Sequence, residues 1–110
     1  MEQAIQALFE YIVSAQAFAE LRAAKQAADQ NPDARVLLRA YARKQAALSR
    51  EGLTYEQAQA IMNDLDRDHT RFSQYPLIAA YFARESDFYA FVGGVVEPLY
   101  QKITDEILQL

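Results

Sequence analysis

Apolar positions recur along the chain at steps of three, four and seven, and no run alternates with period two for long. Ile5, Leu8, Phe9 and Ile12 open the pattern, and Phe18, Leu21, Ala24 and Ala28 continue it with a shifted phase. This predicts a first helical region from about Glu2 to Asp29, with Ser14 as the point where it kinks or breaks. Asn31-Pro32 marks the next start. Asn is a good N-cap, proline suits the first helical position, and Asp33 then lies where the helix dipole favours an acid. The second helix is expected from Pro32 to about Arg50, with Gly52 in the left-handed position just past its end.

Thr54-Tyr55-Glu56-Gln57 has the capping-box pattern that opens a third helix. Its apolar stripe is Ala58, Ile61, Met62, Leu65 and Phe72. Tyr75 precedes Pro76 and is pushed away from helical geometry, which predicts a break near residues 73–76. Ile78, Tyr81, Phe88, Val92, Val95 and Leu99 then carry one phase through Gly93-Gly94 and Pro98, and Ile103, Ile107 and Leu110 extend it. The last region, Pro76 to Leu110, reads as one long kinked helix or as two helices nearly in line.

The predicted fold is all-α: an antiparallel bundle of four to five helices in a single domain over residues 1–110, with a long C-terminal helix. Composition agrees, with twenty alanines against three glycines and three prolines in 110 residues. The last helix exceeds what one small bundle covers. Its surplus apolar surface calls for a partner, most simply a second copy. No segment approaches the ~18 consecutive apolar residues of a membrane span, and the start lacks a signal-peptide layout. There is no cysteine, which removes disulfides, thiolate metal sites and a cysteine nucleophile. These features lead us to expect a cytoplasmic protein with no membrane contact.

The net charge of −4 hides an asymmetry. Residues 22–50 carry seven basic residues against two acids, and the rest carries four against thirteen. At 100° per residue, Arg35, Arg39, Arg43 and Arg50 fall within an arc of about 80°. Ala34, Leu37, Leu38, Tyr41 and Leu48 fall on the opposite side of the same helix. Arginines four apart repel by about 0.2–0.5 kcal/mol per pair, and no acid on this helix lies among them. Two readings follow. One is a solvated face paired with acids elsewhere in an acidic chain. The other is a docking face for RNA phosphates or an acidic partner. No aromatic interleaves with the arginines, which argues against sequence-specific reading of single strands, and the acidic chain gives no reason to expect DNA.

Reactive constellations are weak. Asp64, Asp66 and Asp68 have the spacing that begins an EF-hand loop, but His69 stands where glycine is needed and Tyr75 where the bidentate glutamate belongs. His69 is the only histidine, and one histidine cannot supply a paired di-iron motif. No serine has a nucleophile-elbow context, and Gly93-Gly94 lies in an apolar helical stretch where close packing or a kink is expected. No catalytic, metal or cofactor residue is assigned, and no cofactor is expected.

The order of these features resembles the YlbF/YmcA family of small bacterial proteins. The similarity rests on the run Ser14-Ala15-Gln16-Ala17-Phe18-Ala19-Glu20-Leu21, on Ala24-Lys25, and on Asn31-Pro32-Asp33-Ala34 followed by Leu37-Leu38. It extends to Tyr41 with Gln45 and to Tyr75-Pro76-Leu77-Ile78 with Tyr81 and Glu85. The resemblance implies an all-helical, dimeric, cytoplasmic, non-enzymatic protein. Characterised members of the family join related proteins in a complex that modulates the endoribonuclease RNase Y, with effects on mRNA processing, competence, sporulation and biofilm formation. The expected function is therefore a regulatory adaptor that binds family paralogues and RNase Y, with Arg35, Arg39, Arg43 and Arg50 as the candidate partner-binding residues. Direct RNA binding through the same face is the first alternative, and a small-ligand or metal-binding helical protein the second.

Overall fold

A computed structural model describes residues 2–110. Among them there are five helices and no strand: α1 (Glu2–Val13), α2 (Gln16–Asp29), α3 (Pro32–Leu48), α4 (Tyr55–Phe72) and α5 (Pro76–Leu108). The all-α bundle expected from the periodicity is present. No helix among the described residues is long and apolar enough to cross a membrane.

The boundaries have local causes. Ser14 ends α1 by turning its hydroxyl onto the Glu10 and Tyr11 carbonyls, so the first region is two helices. Asn31 caps α3, its Oδ1 accepting from the Ala34 amide at 3.0 Å, with Pro32 at the first position. Thr54 and Gln57 form the reciprocal capping box of α4. Two expectations are corrected. α3 ends at Leu48 with Ser49 as its C-cap, two residues short of Arg50. Gly52 does adopt the left-handed backbone, at φ +80°, but within the turn before α4 and not directly after α3. The last region is one continuous helix of 33 residues that runs through Pro98. Gly93 and Gly94 have open space where a Cβ would stand, so the expected close packing at that pair is absent.

The contacts divide the chain into two compact units. One unit is Ala24–Phe82. α3 and α4 run antiparallel in it, because Lys44 meets Asp68 while Tyr41, three residues earlier, meets Phe72, four residues later. Its core is Ala28, Ala34, Leu38, Phe72, Ile78 and Phe82, with Leu37, Tyr41 and Tyr81 packed around it. Phe72 and Ile78 are the largest fully enclosed side chains. Met62, expected in the apolar stripe, is instead exposed.

The second unit is the stretch up to Ala23 together with Ala83–Leu110. Tyr11 stacks on Phe91, Phe18 tilts against Phe88, and Glu20 pairs with Arg84. As one residue number of each pair rises the other falls, so these segments too are antiparallel. No described residue of this unit is buried. Ile5, Leu8 and Phe9, the stripe of α1, remain more than a third exposed.

Candidate partner-binding face

α3 gets its orientation from its N-terminal cap and its apolar side. The Asn31 cap and Pro32 fix where the first turn starts. Ala34 and Leu38 then fall into the core, with Leu37 and Tyr41 half-buried beside them. Once that side is committed, the 100° step leaves Arg35, Arg39 and Arg43 pointing the other way, and all three are exposed. Ala42 and Ala46 lie on the same side of the helix and are also exposed. Small neighbours leave the guanidinium groups uncrowded.

Among the described residues, no carboxylate pairs with Arg35, Arg39 or Arg43. The chain's acids are engaged elsewhere or stand in solvent. Lys25 pairs with Asp29, Lys44 with Asp68, Arg67 with Asp64, and Arg84 with both Glu20 and Asp87. Of the two readings of this face, the solvated one therefore stands without the ion pairs to acids of other helices that it included. Arg50 is exposed but lies past the end of α3, so it does not share the helical stripe. Its amide instead donates to the Ala47 carbonyl.

Three guanidinium groups one turn apart offer up to five N–H donors each, in planar forks that match carboxylate or phosphate oxygens. Successive groups are ~5–6 Å apart at Cβ. An acidic helix, or a phosphate backbone, presents acceptors at comparable intervals. Val36, expected neither in the core nor on the face, is exposed 100° from Arg35 and beside Arg43 on the helical projection, adding an apolar edge. Its signal was visible in the sequence: it is the one large apolar residue of α3 outside the core arc.

The other candidates resolve structurally. Asp64, Asp66 and Asp68 lie on continuous helix α4 and not in a calcium loop. Asp64 and Asp68 hold Arg67 and Lys44. His69 stacks on Phe82, ring centroids 4.3 Å apart and nearly parallel, near the end of α4. Among the described residues no group of three or more His, Asp or Glu side chains could hold a metal ion.

The family model described as "Control of competence regulator ComK, YlbF/YmcA" matches residues 1–104. No curated protein and no solved structure matches the chain.

Proposed function

The chain belongs to the YlbF/YmcA family, and from that premise we propose that it is a non-enzymatic, cytoplasmic regulatory adaptor. It acts as a homodimer and binds protein partners, namely family paralogues and RNase Y. Through them it modulates RNA processing on the route to competence control, the role its family's description names. The observation that carries this reading is the α3 face: Arg35, Arg39 and Arg43 are exposed, one turn apart and without an intramolecular carboxylate. A helix that leaves three like charges uncompensated costs about 0.2–0.5 kcal/mol per adjacent pair, which an acidic partner surface would offset.

The test is a pull-down from a nuclease-treated bacterial lysate that contains RNase Y. Wild type is compared with the triple variant Arg35→Glu, Arg39→Glu, Arg43→Glu, whose helicity is checked by circular dichroism. Wild type is expected to retain RNase Y or a paralogue, and the variant to lose it. Retention by both forms removes the arginine face from the reading. No specific partner for either form overturns the adaptor.

Direct RNA binding is the second reading, supported by the same unpaired guanidinium groups. Three phosphate contacts on a single strand predict that affinity falls with salt at a log–log slope of about −2. A flat salt response in purified components rejects it.

A further inference from the structure

The outer side of α3 is chemically narrow. Arg35, Arg39 and Arg43 share an arc of about 120° with Val36, Ala42 and Ala46, and only Pro32 of the first turn joins them. All of these residues are exposed. The arc holds three cations and four apolar side chains, with no acid and no neutral polar group. Solvated helix sides ordinarily mix both signs of charge with polar side chains. The exposed side of α4 does so, with Asn63, Asp66, Arg67 and Thr70 within an arc of about 100°.

We propose that this side of α3 docks an acidic, amphipathic helix of a partner protein. Carboxylates four residues apart on that helix run along the arginines, and small or aliphatic side chains beside them lie over Ala42 and Ala46. The inference rests on the partner-binding reading of the same face and deepens it by naming the partner's chemistry. Three observations select a helix over a nucleic acid.

The first is register. Arg35 to Arg43 covers a rise of about 12 Å along α3. Acids at i, i+4 and i+8 of a second helix cover the same ~12 Å, so all three pairs form at once. Each sets a planar guanidinium fork against a carboxylate. Rows of residues four apart are also the ridges that interlock in the commonest class of helix packing, and a crossing of about −50° lays the two rows parallel.

The second is approach. On the helical projection Ala46 falls between Arg35 and Arg39, and Ala42 about 20° outside Arg35. Both side chains end at Cβ, which admits another helix at the short end of the ~8–10 Å range of axis separations. Val36, 64% exposed, adds an aliphatic side chain at the far edge of the arc. A phosphate backbone gains nothing from alanine. Bases would need aromatic side chains to stack on, and the arc has none.

The third is the extent of the charge. The basic row stops at Arg43. Lys44 is turned to Asp68, and Arg50 lies past the end of α3, next to Glu51 in sequence. A polyanion longer than ~12 Å runs off the row onto a chain of net charge −4. An acidic helix face of two to three turns ends where the row ends.

The probe is a synthetic helical peptide of about five turns, with glutamates at i, i+4 and i+8 and an alanine–leucine row beside them. It is titrated against the whole chain by fluorescence anisotropy. The controls are a peptide of the same composition with its glutamates scattered around the helix, and an oligouridylate. The row peptide is expected to bind at least about tenfold tighter than the scattered one, because only the row meets all three arginines. Arg35→Lys, Arg39→Lys and Arg43→Lys in one variant keep the charge and lose the forks, which should weaken the row peptide about fivefold. Ala42→Gln with Ala46→Gln keeps the charge and the helix propensity but holds the helices apart, and should weaken it about tenfold. Arg39→Glu should lose the row peptide, and a peptide with lysine at the central position should restore binding to that variant. All of these positions are exposed, so folding does not confound the variants.

Equal binding of the row and scattered peptides, or indifference to the glutamine pair, reduces the face to diffuse attraction and overturns the inference. Oligouridylate binding that is tighter than the row peptide and ignores the glutamine pair assigns the face to RNA instead. If the triple Arg→Glu variant loses its partner in the pull-down while the row peptide binds no better than the scattered one, the partner-binding reading stands and the helix falls. If capture survives that variant and the row peptide also fails, both fall.

Discussion

Lys44 of α3 reaches across to Asp68 of α4, Nζ to Oδ2 at 2.5 Å, and so ties the two helices together one turn from the C-terminal end of each. The aspartate side chain is mostly enclosed and the lysine is more than a third open to solvent. This asymmetry limits the value of the pair. The lysine loses little by returning to water, and the aspartate loses its one compensating charge. Asp68→Asn and Lys44→Met are each expected to cost about 1 kcal/mol. A double-mutant cycle in urea should give a coupling of about 0.5–1 kcal/mol that shrinks in molar salt. A coupling of zero at low salt would show that the two side chains do not hold each other in solution.

Phe72 and Met62 share the apolar pattern of α4 but not its burial. Phe72 is 1% exposed and Met62 48%. On the helical projection Met62 lies about 80° from Phe72, at the edge of the stripe, and Leu65 only about 20° away. Phe72→Ala should therefore cost about 3–5 kcal/mol, because it empties a site lined by Tyr41 and the rest of the core. Met62→Ala should stay within about 0.5 kcal/mol. Both follow from urea titrations monitored by circular dichroism, and comparable losses for the two variants would contradict the register assigned to α4.

What could be read from the residues, and what could not, divides along the range of the interaction. The caps at Asn31 and Thr54 are made by side chains three residues from their partners, so the local pattern names them. The arginine face follows from spacing within one helix. Arg50 fails to join it because α3 ends two residues early, at a Ser49 cap with no strong sequence signature. Ile5, Phe9 and Ile103 have the same period as the core residues yet are exposed. Periodicity states which side of a helix is apolar but not what lies against that side. Lys44–Asp68 and Glu20–Arg84 join residues 24 and 64 apart, a distance no local pattern encodes.

The glycines separate backbone need from side-chain space. Gly52 stands at φ +80°, where a Cβ is strained, so Gly52→Ala should destabilise by about 1 kcal/mol. Gly94 lies in the interior of α5 with nothing near its missing Cβ, and about 160° from Val96, one of the exposed apolar residues of α5. There an alanine removes backbone freedom from the unfolded chain at no steric cost. Gly94→Ala should stabilise by about 0.5–1 kcal/mol in thermal melts. Opposite signs for the two substitutions are the expected outcome. A loss at Gly94 would mean that something occupies the open space around it.

Uneven burial predicts uneven amide exchange. In Ala24–Phe82, opening α3 or α4 exposes Leu38, Phe72 and Ile78, so their amides should exchange only through the largest opening of that unit. In α1 and in the last turns of α5, opening exposes little that is not already in water. Those amides should exchange far faster in a monomer. If a second copy covers the apolar side of α5 that Leu99, Ile103 and Ile107 leave exposed, separation of the dimer must precede opening there. Protection over Val96–Ile107 should then rise with protein concentration, while protection over α3 should not. Mass-resolved exchange at two concentrations measures both segments in one sample. Concentration-dependent protection confined to Val96–Ile107 supports the cover. Protection over Val96–Ile107 that matches the core at every concentration would instead mean that this chain stabilises α5 by itself.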